Sequence, residues 1–126
     1  MQTVIETASY LARIAKLGLA ETEREAIKAF LADNPDAGDL MQGTGGARKV
    51  RIAGRGHGKS GGYRVITFYA ADDVPVFLLD IYGKGEKDNL SKAERNAVKA
   101  YLDGLADDYR KSARERAKTI TKQVKE

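Results

Sequence analysis

The chain of 126 residues contains no cysteine, which excludes disulfides and thiolate metal sites and fits a reducing compartment. No apolar run approaches the roughly 20 residues that a membrane-spanning helix needs, and the N-terminus lacks the pattern of a secretory signal. A soluble, cytoplasmic protein with no membrane partner is expected. Acidic residues are missing from one long stretch: Gly45 to Tyr69 holds six arginines and lysines and one histidine, without an aspartate or glutamate. Such a segment presents cations with no internal neutralisation, so its natural partner is a polyanion. Carboxylate clusters suited to two metal ions are missing from the same region, and no cofactor is expected.

The length is that of one domain, and a hydrophobic content of 42% is enough to bury a single modest core. The net charge of +4 is unevenly spread: residues 1–46 carry four basic and seven acidic groups, residues 47–102 eleven and six, and residues 103–126 seven and five. The positive field therefore belongs to the middle and the tail, which bears on partners and not on fold.

Periodicity orders the elements. Val4 and Ile5 begin a short strand, and Thr7 caps a helix with Tyr10, Leu11, Ile14 and Leu17 on one face, ended by Gly18. Thr22 with Glu25 reads as a capping box opening a second helix, which buries Ile27, Phe30 and Leu31 before Asn34-Pro35 stops it. Together they form an αα-hairpin. A structureless, glycine-rich connection from Asp36 to Gly46 leads into the alternating strand Lys49-Val50-Arg51-Ile52, and a glycine loop from Gly54 to Gly62 follows. Tyr63 to Ala71 and Pro75 to Lys84 read as an antiparallel hairpin. Ser91 with Glu94 opens a helix with Val98, Tyr101, Leu102 and Leu105 on its apolar side. Residues 106–126 have few residues to bury and read as a charged helical extension of a domain spanning 1–105.

The loop GRGHGKS, Gly54 to Ser60, ends like a phosphate-binding P-loop, but only three residues separate Gly54 from Gly58 and a strand follows where a helix is required. A different phosphate chemistry fits better. If Tyr69 pairs with Phe77, then Arg64 lies opposite Tyr82, with Lys84 one pair further along. Arg64, Tyr82, Lys84 and Asp80 then share an open face with Ile66 and Phe68, while Val65, Thr67, Leu79 and Ile81 face the helices; a two-residue turn would shift this register by one. Flanked by Arg51, Arg55, His57 and Lys59, that face suits metal-independent phosphodiester cleavage, in which cations stabilise charge on the phosphorus oxygens and titratable groups move protons. Arginine grips two phosphate oxygens, whereas lysine and histidine also exchange a proton. Asp80 reads as a salt-bridge partner that orients Arg64.

The segments Gly38 to Tyr69 and Leu78 to Glu94 carry G-T-G-G-x-R-K-x-R, the basic loop, G-G-x-R-V-I, Y-x-K and D-x-L-S-x-x-E. In that combination the chain resembles the RelE-like toxins of bacterial toxin-antitoxin pairs, most closely the HigB group, over about residues 3 to 105. The resemblance implies an α+β fold, a small antiparallel sheet with an N-terminal αα-hairpin and a C-terminal helix packed on it. It also implies a ribosome-dependent mRNA endoribonuclease: the ribose 2′-hydroxyl attacks the adjacent phosphate, leaving a cyclic phosphate, without a metal. Carried onto this chain, Arg64 is the main phosphate stabiliser, Lys84 and Tyr82 move protons or contact phosphate, and Lys59 joins them; His57, read from its own chemistry as a titratable group, completes the catalytic set. Arg48, Lys49, Arg51, Arg55 and Lys87 bind RNA. The implied partners are the ribosome, mRNA and a cognate antitoxin with a helix-turn-helix that binds DNA.

Two positions depart from the family pattern. His57 stands where lysine or arginine is usual and adds a group that titrates near neutral pH. Gly85 stands where asparagine is usual and is expected to loosen the end of the last strand. Two other functions are compatible with the fold: ParE-like relatives poison DNA gyrase, and a plain RNA-binding module would bind without cutting.

Overall fold

Thr7 starts the first helix by accepting a hydrogen bond from the Tyr10 amide at 3.3 Å, and Gly18 stops it in the left-handed region at φ 70°, donating to the Ile14 and Ala15 carbonyls. These local signals recur through a computed structural model that describes residues 1–53, 62–83, 85–86 and 89–125, without the side chains of residues 124 and 125. The order is β1 (Val4–Glu6), α1 (Ala8–Leu17), α2 (Glu21–Asp33), β2 (Asp39–Leu40), β3 (Arg48–Ile52), β4 (Tyr63–Phe68), β5 (Val76–Gly83), α3 (Lys92–Leu102) and α4 (Leu105–Lys125). The class is α+β, as expected. Among the described residues no helix is long and apolar enough to cross a membrane.

The sheet runs β1-β5-β4-β3-β2. The strands from β2 to β5 are antiparallel to their neighbours, but β1 lies parallel to β5, pairing Val4 with Val76 and Glu6 with Leu78, so the sheet is mixed. β2 falls within the stretch expected to be structureless: Asp39 and Leu40 pair with Lys49 and Arg48. Gly38 makes this approach feasible, because a Cβ there would lie 2.5 Å from the Lys49 carbonyl oxygen.

Both faces of the two central strands are covered. On one, Tyr10, Ile14, Ile27 and Leu31 of the helical hairpin pack on Val50, Val65, Val76, Leu78 and Ile81. On the other, Leu90 and Leu102 pack on Ala47, Ile66, Phe68, Phe77, Leu79 and Tyr82. This double coverage explains why β4 and β5 read as nearly continuous apolar runs. Each fully buried Leu or Ile contributes about 1.5–3 kcal/mol.

Several local expectations change. α2 begins at Glu21, before Thr22, and Glu23 in its first turn accepts from the Ala20 amide; Glu25 pairs with Lys28 instead. Leu11, Phe30 and Tyr101, assigned to apolar faces, are exposed. The capping box of α3 forms as expected: the Glu94 amide donates to Ser91 Oγ and the Ser91 amide to the Glu94 carboxylate.

The chain after Gly104 continues as α4, and its first turns are anchored. Leu105 and Tyr109 pack against the second cluster, with the Tyr109 and Phe77 rings edge to face at 6.2 Å. Arg110 donates two hydrogen bonds to the Asp73 carboxylate at 2.6 and 2.9 Å. Packing contacts therefore extend past residue 105 to Arg110.

Candidate functional site

The basic strand β3 is delivered by a turn whose geometry depends on Thr44. The buried Thr44 hydroxyl donates to the Met41 carbonyl at 2.7 Å and accepts from the Ala47 amide at 3.0 Å, while the Met41 amide donates to the Ala47 carbonyl. Gly43, Gly45 and Gly46 occupy positive φ between these anchors, which explains the G-T-G-G run in terms of backbone geometry.

From this turn the pleat separates the cations. Val50 faces the helical hairpin, so Lys49 and Arg51 face the opposite side and Arg48 does not join them. Arg48 instead donates to the Gly38 carbonyl at 3.0 Å, at the sheet edge. Lys49 donates to Asn89 Oδ1 at 2.9 Å, tying β3 to the segment that enters α3.

Across the sheet, Arg51 pairs with Arg64 and Arg64 with Tyr82, forming one row on one face. The predicted Arg64–Tyr82 pairing is present, although the hairpin reaches it differently. Phe68, not Tyr69, opposes Phe77, and an irregularity between Ile66 and Thr67 restores the register. That bulge also turns Leu79, expected on the hairpin side, into the second cluster.

The face is not open where Arg64 and Tyr82 lie. Arg64 is 8% exposed and Tyr82 fully buried, because the chain before α3 and α3 itself bring Leu90 and Leu102 onto the same apolar cluster as Tyr82. Arg51, one strand further out, is exposed. Asp80 is engaged by Arg13 at 3.6 Å rather than by Arg64.

Arg13 and Glu86 were invisible to sequence reasoning and close the end of β5. Arg13 donates to the Ile81 carbonyl at 3.2 Å and to Glu86 at 2.6 Å, and the other Glu86 carboxylate oxygen accepts from the Gly83 amide at 2.9 Å. Gly85, at φ 99°, lies within this tied turn, so its conformational freedom serves the turn. No sequence pattern pointed to Arg13, because its partners lie about 70 residues away. Of the remaining candidates, Arg55, His57, Lys59, Lys84 and Lys87 lie outside the described residues.

Beside Arg51, on the hairpin side of the sheet edge, lies a cavity of about 550 Å³ bordered by Glu23, Phe30, Arg51, Ile52 and Tyr63. Burial and the neighbouring Glu23 carboxylate push the Tyr63 phenol above its ordinary value. Among the described residues no group of three or more His, Cys, Asp or Glu side chains has the arrangement to hold a metal ion.

The arrangement thus combines an acid-free basic strand, a row of two arginines and a closed apolar floor, all suited to a phosphate backbone. A protein-family model described as the RelE toxin of the RelE/RelB toxin-antitoxin system matches residues 7–124, a span that includes most of α4. Of the described site residues, Arg48, Lys49, Arg51, Arg64 and Tyr82 all fall within that match, and the chain belongs to the RelE toxin family of toxin-antitoxin systems.

Proposed function

We propose that this toxin inhibits translation as a ribosome-dependent mRNA endoribonuclease that works without a metal ion. The observation that carries the reading is the row Arg51–Arg64–Tyr82, whose two arginines belong to a segment with six cations and no carboxylate. In the reaction the ribose 2′-oxygen bonds to phosphorus as its proton leaves, the bond from phosphorus to the 5′-oxygen breaks, and that oxygen gains a proton. The products are a cyclic phosphate and a 5′-hydroxyl.

Negative charge builds on the non-bridging oxygens during this step, and preorganised cations in a poorly solvated setting stabilise it best. Arg64, almost withdrawn from water, has that setting, and exposed Arg51 next to it receives the backbone first. A fully buried Tyr82 reaches no substrate, so its role is to position Arg64 rather than to move a proton. Proton transfer is assigned to Lys84 and Lys59 by the family resemblance and to His57 as a side chain that titrates near neutral pH, and RNA contacts to Lys49, Arg51, Arg55 and Lys87. Arg48, turned to the other face, contributes to the sheet edge. The cognate antitoxin is expected to carry a helix-turn-helix.

Primer extension on mRNA from cells briefly expressing the protein tests this reading. New ends at codon-associated positions are expected. Intact mRNA together with double-strand breaks would assign the chain to gyrase poisoning, and intact mRNA with salt-sensitive RNA binding to a non-catalytic module.

A further inference from the structure

We infer that the cavity between α2 and the outer edge of β3 is a subsite for one unstacked RNA base carrying an exocyclic amine, with the adjoining phosphate on Arg51. The inference rests on the ribonuclease reading for its biological substrate but not for its binding chemistry.

Three features of the cavity select this ligand. The first is its walls. Phe30 is 43% exposed while Ile27 and Leu31 of the same helix are buried, and it borders the cavity together with Tyr63 and Ile52. Base stacking on aromatic rings is the sequence-tolerant grip by which proteins hold single-stranded RNA. A cavity of about 550 Å³ lies within the usual range for an organic ligand.

The second is the single acidic group. Glu23 borders the cavity, and one of its carboxylate oxygens holds the Ala20 amide at the long distance of 3.4 Å. The Tyr63 phenol also hydrogen-bonds this carboxylate, whose roughly four acceptor sites leave capacity for an amine on a Watson–Crick edge, which cytosine, adenine and guanine possess and uracil lacks. A carboxylate here would repel a phosphate, so the base and not the backbone belongs at this end.

The third is continuity with the cationic row. β2 pairs with Arg48 and Lys49, and among the described residues no strand lies beside the outer edge of β3 at Arg51 and Ile52. Arg51 borders the cavity and is also the cross-strand neighbour of Arg64. A nucleotide can therefore place its base in the cavity on the hairpin side and pass around the edge of β3, so that its phosphate meets Arg51 on the opposite face, with the chain continuing toward Arg64.

The test uses the full-length chain and fluorescein-labelled single-stranded oligo(A), oligo(C) and oligo(U), with dissociation constants from fluorescence anisotropy at low salt. Wild-type protein should bind oligo(A) and oligo(C) more tightly than oligo(U). Phe30→Ala, at an exposed position that does not threaten folding, should weaken oligo(A) binding about tenfold, and Glu23→Gln should remove the preference over oligo(U). Phe30→Ala binding all three oligomers like wild type overturns the subsite, and would leave the cavity to a protein partner. Primer extension on the same variant keeps the two readings apart. Wild-type cleavage with unchanged binding by Phe30→Ala would leave the nuclease reading standing and reject the subsite. Absent cleavage by the wild-type protein, with oligo(A) binding weakened in Phe30→Ala, would keep the subsite and reject the nuclease.

Discussion

Arg51 stands directly opposite Arg64 across β3 and β4. Like charges in this position cost about 0.2–1 kcal/mol relative to neutral pairs, and nothing about sheet formation requires them. A sequence shaped for stability alone would place Thr or Val at residue 51, which is exposed at a strand edge. The proposed phosphate contact supplies the reason for the pair that sheet formation does not.

Arg51→Thr should consequently leave the protein as stable or slightly more stable in thermal denaturation, while weakening RNA binding. Loss of one phosphate contact should lower the slope of log affinity against log salt by about one. An unchanged slope would mean that Arg51 meets no phosphate.

Arg64→Ala should lower mRNA cleavage about a hundredfold to a thousandfold, the usual cost of removing one donor from a site that stabilises developing charge. Arg64 is nearly buried, so circular dichroism and a melting curve must accompany the assay. Arg64→Lys keeps the charge but loses the two-pronged grip, and its activity should fall between the two. A folded Arg64→Ala protein with full toxicity would remove Arg64 from the chemistry.

Much of this site was legible because strand pairing follows simple parity. Once Arg64 and Tyr82 were placed opposite each other, their shared face followed. The bulge between Ile66 and Thr67 was not legible, since no glycine marks it, and it moved Leu79 to the other face. Burial of Tyr82 was also hidden: it depends on Leu90 and Leu102 arriving from later in the chain. Local caps at Thr7 and Ser91 were readable because each signal lies within three residues of its partner. Arg13, held by Ile81 and Glu86, depends on tertiary approach alone.

Acid stability should depend on Glu6. Its carboxylate receives two hydrogen bonds from Arg24 at 2.7 and 2.9 Å, chiefly as a result of which its pKa falls below the ordinary glutamate value despite the opposing effect of burial. A depressed folded-state pKa stabilises the fold above the unfolded-state value, and the contribution disappears as pH falls through the folded-state value. Melting temperatures of wild type and Glu6→Gln should therefore differ at neutral pH and converge in acid below the usual glutamate range. A gap that persists there would assign the effect to packing rather than charge.

The tail should divide at Arg110 rather than at Leu105. Tyr109 meets Phe77 edge to face and Arg110 grips Asp73, whereas residues 114–123 of α4 are exposed. Removing residues 111–126 should change stability by no more than about 1 kcal/mol, as for a solvated segment. Removing residues 106–126 also uncovers Phe77 and strands Asp73, and should cost about 1–3 kcal/mol. Urea titrations of both truncations decide the matter. Equal stability of the two would put the boundary back at residue 105, and unfolding of the shorter deletion would show that the distal helix packs on the domain. The shorter deletion removes six cations and two anions, so its affinity for ribosomes should drop modestly at low salt and match wild type as salt rises.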